Sequence, residues 1–309
     1  MFKKISVIGA GQVGSTTAFI LAQKKLCNEI VLIDVVEGTA QGKALDIMQC
    51  NSLLDFETKI IGSNDYSLIK DSEIVVVTAG LARSPTMTRE ELLNKNAGII
   101  KSVCEKIKIF APNSVLIMIT NPLDVMTWLA WKTTGFETKK IIGQAGVLDS
   151  ARLKTFIGIE TKESASEIKA LVLGGHGDSM LALKNEIKVN GKKASDLINE
   201  NKLNEIIKRT VNGGGEIVEL LKTGSAYYAP AASVVKMIEL IEKENDEVIA
   251  CSVYCTGEFG LQDIFIGVPV KLCKNGVKEI VEIKLNESEL NALHNSAEKY
   301  KKIIESLKI

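Results

Sequence analysis

Short runs of aliphatic and β-branched residues at 5–8, 30–33, 73–78, 115–119 and 141–143 alternate, through the first half of the chain, with stretches of helical periodicity. Those stretches lie at 15–24, 41–49, 90–109 and 123–132. The runs have the length of buried strands, the stretches that of amphipathic helices, and a weaker strand is expected at 59–61. Such alternation predicts a parallel, doubly wound sheet with helices on its faces. After residue 143 the pattern changes: a helix begins near Leu148, strands are expected at 168–173 and 248–254, and hairpin signals stand at Asn190-Gly191 and Asn275-Gly276. Helices are expected over 204–221, over 230–243 behind Pro230, and from an N-cap at Asn286, with Glu289 three residues on, to the chain's end. The fold class expected is α/β: a Rossmann-type doubly wound parallel sheet over 1–143, followed by a second α+β domain over 144–309. Within the 204–221 helix, Gly213, Gly214 and Gly215 each cost roughly 1 kcal/mol relative to alanine, so another part of the molecule is expected to approach the backbone there.

The turn after the first strand holds Gly9, Gly11 and Gly14, and Asp34 ends the second strand. The first glycine permits a tight turn, the second lets backbone approach a pyrophosphate, and the third packs helix on strand. A helix N-terminus offers its free N–H groups to phosphate. Asp34 can accept from both hydroxyls of an adenosine ribose, whereas a 2′-phosphate would meet a like charge, and neither Val35 nor Val36 is an arginine to receive one. The expected cofactor is therefore NAD rather than NADP.

Ligands bind doubly wound sheets at the carboxyl ends of the strands. Beyond the 73–78 strand lies a polar loop with Arg83 and Arg89, whose guanidinium forks suit carboxylates. Beyond the 115–119 strand comes Asn121, followed by Pro122, with an amide able to donate to a substrate oxygen. Asp149 and Arg152, three residues apart, project from one helix face, either as a surface ion pair or as an imidazole orienter and a substrate clamp. His176, between Gly175 and Gly177, is one of two histidines; its partner in number, His294, lies in a polar helical tail. Only an imidazole titrates unperturbed near neutral pH, so His176 is the expected proton carrier, the alternative being a turn residue bonded to backbone.

Composition narrows the partners. The chain has 309 residues, 38 basic and 38 acidic, giving no global field to attract nucleic acid or an anionic membrane surface. Six cysteines form no CxxC pair, and Cys251 and Cys255 lack a histidine neighbour, so reduced thiols and no metal site are expected. Met1-Phe2-Lys3-Lys4 leads straight into a strand, unlike a signal peptide, and no apolar run reaches the roughly 18 residues of a membrane helix. A cytoplasmic location is expected.

These motifs together resemble the lactate and malate dehydrogenase family, in particular its lactate-dehydrogenase-like malate branch. GAGQVG at 9–14, Asp34, TAGLAR at 78–83 with Arg89, ITNPLDVMT at 119–127, GVLDSAR at 146–152, GGHGDSM at 174–180 and GSAYYAPA at 224–231 occur in the family's order. The resemblance implies His176 as proton acceptor and donor, Asp149 as its partner, Arg152 on the C1 carboxylate, Arg89 polarising the carbonyl, and Arg83 at the specificity position. It further implies substrate contacts from Asn121 and Ser225. Cofactor contacts would come from Gly9, Gly11, Gln12, Val13, Gly14, Asp34, Thr78, Ala79, Gly80, Asn96, Ile119 and Asn121. The implied activity is reversible NAD-dependent oxidation of malate, a dicarboxylate. Lactate is the alternative substrate, and a catalytically silent NAD-binding protein the non-enzyme alternative. The implied assembly is a homotetramer, or else a dimer. The loop departs from the malate-type Arg-Lys-Pro-Gly-Met by carrying Ser84 and Thr86, which leaves the arginines in place. A YxxxK pattern, Tyr66 to Lys70, suggests a short-chain dehydrogenase but falls before the third strong strand, and is read as an ordinary surface pair.

Overall fold

The computed structural model describes residues 1–81 and 87–307, the Arg89 side chain excepted. The first half builds six parallel strands: β1 (Phe2–Ile8), β2 (Cys27–Ile33), β3 (Lys59–Ser63), β4 (Ile74–Val77), β5 (Val115–Met118) and β6 (Ile141–Gly143). Their spatial order is 3-2-1-4-5-6, which places a reversal of winding between β1 and β4. Around them run α1 (Gln12–Gln23), α2 (Thr39–Gln49), the short α3 (Asn51–Leu54), α4 (Arg89–Phe110) and α5 (Leu123–Thr134). A capping box starts α4: Thr88 Oγ1 accepts from the Glu91 amide and the Glu91 carboxylate accepts from the Thr88 amide.

The second half comprises α6 (Val147–Thr161), the short strands β7 (Ile168–Lys169), β8 (Val172–Leu173), β9 (Leu181–Ala182), β10 (Lys188–Val189) and β11 (Lys192–Lys193), then α7 (Glu200–Leu221) and α8 (Tyr228–Lys243). It closes with β12 (Ile249–Thr256), β13 (Gln262–Cys273), β14 (Gly276–Ile280) and α9 (Glu287–Glu305). Strands β12, β13 and β14 do not form a sheet of their own. They add antiparallel to β6, through Ser252 opposite Gly143, and complete one nine-stranded sheet. Its core is continuous across the two halves, from Ile5, Ile30 and Val76 to Phe265 and Val268, and a smaller cluster with Leu153, Ile157, Leu203 and Ile206 joins α6 to α7.

Three expectations need correction. The apolar run at 168–173 is two strands, not one: β7 pairs with β10 while β8 pairs with β9, because the Ser150 hydroxyl takes the Val172 amide as the chain changes sheet. Helix α7 begins at Glu200 rather than 204, capped by Asn199, whose side chain accepts from the Lys202 amide at 2.9 Å. Tyr66 is buried rather than on the surface, with the Lys106 ammonium 4.4 Å from its ring centre.

Candidate active site

The glycine turn between β1 and α1 is shaped by close approach. A Cβ on Gly14 would lie 1.8 Å from the Gly9 carbonyl oxygen, and Gly9, at φ +104°, faces Thr78 Oγ1, which donates to the Gly9 carbonyl at 3.0 Å. Gly11 differs: a Cβ there would meet nothing within 4 Å, and α1 has no side-chain cap, so its first N–H groups stand open beside Gln12 and Val13. This is the arrangement a phosphate group fits. Asp34 stands at the rim, its Oδ2 accepting from the Ala10 amide at 2.7 Å and its Oδ1 from the Val36 amide at 2.9 Å. Each oxygen keeps a lone pair for a hydroxyl donor.

Thr78, Ala79 and Gly80 leave the carboxyl end of β4, and Ile119 that of β5. Buried Asn96, on α4, ties these two ends together. Its Oδ1 accepts from the Leu81 amide at 2.8 Å, and its Nδ2 donates to the Leu81 and Asn121 carbonyls at 3.2 and 2.8 Å. Thr120 adds a hydroxyl bond to the Ala79 carbonyl at 2.6 Å.

His176 follows β8, and Asp149 and Arg152 lie on α6. The fold brings all three together. His176 Nδ1 is 2.8 Å from Asp149 Oδ2, and Arg152 Nη1 is 3.3 Å from Asp149 Oδ1. Asp149 is 1% exposed and His176 16%, so the pair is buried rather than an ion pair on a helix surface. Burial alone would raise the Asp149 pKa, but the His176 charge and hydrogen bond, then Arg152 and the Gly146 amide, bring it below the ordinary carboxylate range. Burial alone would depress the imidazole, but the charge of Asp149 and its hydrogen bond lift it above the ordinary value. The ring can hold or release a proton at Nε2 while Nδ1 stays committed to the carboxylate.

The glycines of α7 find their neighbour here. A Cβ on Gly213 would lie 3.2 Å from Arg152 Cδ, and one on Gly214 3.4 Å from Arg152 Nη2. The helix backbone thus forms the seat of the Arg152 guanidinium, which explains the approach the sequence implied.

Among the other expected residues, Arg83 lies outside the described residues, and Arg89 is the first residue of α4. Asn121 is exposed beside Pro122, and Ser225 is exposed between α7 and α8. Among the described residues neither side chain is hydrogen-bonded to His176, Asp149 or Arg152. Two residues of the site were not anticipated. Asp124 accepts the main-chain N–H of His176 at 2.8 Å, and Ser296, on α9, accepts that of Gly175 at 2.9 Å. In the sequence Asp124 reads as an ordinary acid in the first turn of a helix, and Ser296 carries no signal. No cluster of metal-ligating side chains occurs among the described residues, and no helix among them is long and apolar enough to cross a membrane.

Comparison with known proteins finds one family along nearly the whole chain. Residues 3–143 match the family model described as lactate/malate dehydrogenase, NAD binding domain, and residues 146–308 that described as lactate/malate dehydrogenase, alpha/beta C-terminal domain. The malate dehydrogenase of Pelodictyon phaeoclathratiforme is 51% identical over 294 residues, 95% of each chain. The crystal structure of Cryptosporidium parvum malate dehydrogenase superposes with a TM-score of 0.96 at 43% identity, over 100% of this chain and 99% of that one. The lactate dehydrogenase of the same organism, solved with lactic acid and nicotinamide adenine dinucleotide, gives 0.94 at 40% identity over 99% of each chain.

Proposed function

The chain belongs to the lactate/malate dehydrogenase family, and from that premise we propose that it is an NAD-dependent malate dehydrogenase, interconverting (S)-malate and oxaloacetate. The observation that carries the reading is the buried His176–Asp149 pair with Arg152 on the helix of Asp149, in a chain whose first turn is a glycine turn open to a phosphate. NAD would supply the hydride acceptor for C2 of malate and, in its reduced form, the hydride donor to oxaloacetate. His176 Nε2 takes the hydroxyl proton as malate is oxidised and gives it back to oxaloacetate. Asp149 fixes the tautomer and stabilises the imidazolium. Arg152 holds the C1 carboxylate, Arg89 polarises the C2 carbonyl, and Arg83 pairs with the second carboxylate that distinguishes oxaloacetate from pyruvate. Asn121 and Ser225 contribute substrate contacts.

On the cofactor side, Gly9, Gly11, Gln12, Val13 and Gly14 receive the pyrophosphate, and Asp34 the adenosine ribose, which favours NAD over NADP. Thr78, Ala79, Gly80, Ile119 and Asn121 line the nicotinamide half, their ends held by Asn96. A homotetramer, or a dimer, in the cytoplasm completes the reading. Exposed apolar residues on α2 and α3 (Leu45, Met48, Leu53) and around α7 and α8 (Leu220, Leu221, Tyr228) offer surface for a second copy. The test is initial rates with NADH against oxaloacetate and pyruvate separately. Oxaloacetate should be strongly preferred; equal or better turnover of pyruvate would assign the chain to lactate.

A further inference from the structure

One buried carboxylate next to the site has no lysine or arginine partner among the described residues. Asp124, in the first turn of α5, is 0% exposed. Its Oδ2 accepts the His176 main-chain N–H at 2.8 Å, and its Oδ1 accepts the Ser252 hydroxyl from β12 at 2.6 Å. Burying a carboxylate costs several kcal/mol, and these two hydrogen bonds offset part of it. Burial indeed pushes the Asp124 pKa up, against the pull of its two bonds.

The neighbouring backbone is pinned from other directions. Gly174 exchanges hydrogen bonds with Gly267 of β13, at 2.8 and 3.2 Å. The Gly175 amide donates to Ser296 Oγ of α9, and the Tyr300 ring lies so close that a Cβ on Gly175 would fall 1.8 Å from it. Asp124 pins the third successive residue, His176 itself.

We propose that Asp124 is a positioning residue for proton transfer, holding the main chain of His176 as Asp149 holds its ring. The inference rests on His176 being the acid–base group. With both ends gripped, the imidazole keeps one height and one azimuth, and Ser252 keeps the gripping carboxylate aligned. An error of about 1 Å at a reacting group costs on the order of 100-fold in rate.

The test compares Asp124→Ala, Asp124→Asn, Ser252→Ala and His176→Asn in the full-length protein. NADH-binding sites are counted by fluorescence titration, and kcat with oxaloacetate is expressed per site, so that loss of folded protein does not register as loss of rate. Asp124→Ala should lower kcat per site on the order of 100-fold, with KM for oxaloacetate and NADH affinity little changed. Asp124→Asn can still accept from His176 through Oδ1 and donate to Ser252 through Nδ2, so it should stay within about tenfold of the unmodified protein. Ser252→Ala should cost about tenfold, and decides the matter if Asp124→Ala does not fold. Unchanged kcat per site in either alanine variant overturns the proposal. So does an asparagine variant as slow as the alanine one, since the charge would then be acting rather than the grip. A rapid His176→Asn enzyme removes the acid–base reading itself, whereas a slow one beside a normal Asp124→Ala removes only this inference.

Discussion

Replacing Gly213 by alanine should separate stability from substrate binding. Alanine in a helix interior is worth up to about 1 kcal/mol over glycine. At Gly215 that gain should appear almost undiminished, because the added Cβ meets only Asn212 Oδ1, at 2.6 Å, the far end of an exposed side chain that can turn away. At Gly213, which is buried, the Cβ would lie 3.2 Å from Arg152 Cδ and 3.6 Å from Nε, so the arginine must yield by a few tenths of an ångström. Arg152 already holds Asp149 at 3.3 Å, the long end of a charge-assisted bond, and has little slack on that side. On the role proposed for Arg152, the displacement would fall on its bonds to the substrate carboxylate. A hydrogen bond to a charged group contributes about 1.5–3 kcal/mol, so weakening one should raise KM for oxaloacetate at least about tenfold. The helix gain offsets the contact strain, and Tm should stay within about 2 °C of the unmodified protein. Steady-state kinetics at saturating NADH and a thermal melt measure both quantities, with Gly215→Ala as the control that stabilises without touching Arg152. An unchanged KM in Gly213→Ala, or an equal rise in Gly215→Ala, would refute the seat as the source of the effect.

NADH should exceed NADPH in kcat/KM by at least roughly tenfold, about 1.4 kcal/mol, because Asp34 in its proposed place on the ribose would repel a 2′-phosphate; equal use of both contradicts that placement. His176→Asn should fold and bind NADH yet lose roughly 100-fold or more in kcat. Because Asp149 lifts the imidazole above its ordinary value, oxaloacetate reduction, which needs the protonated ring, should be full at low pH and fall as pH rises through a midpoint above about 6.5. Malate oxidation should do the reverse, and Asp149→Asn should move both midpoints down; midpoints that stay in place rule out the pair as their origin. Arg83→Gln should lower kcat/KM for oxaloacetate roughly 100-fold or more while helping pyruvate, since a buried charge left without its partner costs about 3–5 kcal/mol.

The sheet and the glycine turn were legible because their signals are local: runs of Ile and Val, a glycine spacing, and an acid at a strand end. The residues that complete the site were not, for the opposite reason. Gly213 announced an approaching group, but only the packing of α6 against α7 identifies it as Arg152, far away in sequence. Asp124 looks like an ordinary acid in a helix's first turn, where the macrodipole favours one, and its bond to His176 depends on where β8 releases the chain. Ser296 sits in a helix whose polar face gives no hint that one serine turns inward to Gly175. The sequence pattern also could not show that the strands after residue 143 would join the existing sheet, since alternation specifies a strand's faces but not its neighbour.

That junction bears on how the molecule comes together. Ser252 faces Gly143 across the seam, where a Cβ on the glycine would fall 2.8 Å from the serine Cβ and 2.7 Å from Thr127 Oγ1. The same serine reaches Asp124, and through it the histidine's amide. The seam and the backbone of His176 therefore share one anchor. On the proposed reading, a refolding chain would regain turnover only once its last strands have docked, and recovered catalysis would report a finished molecule.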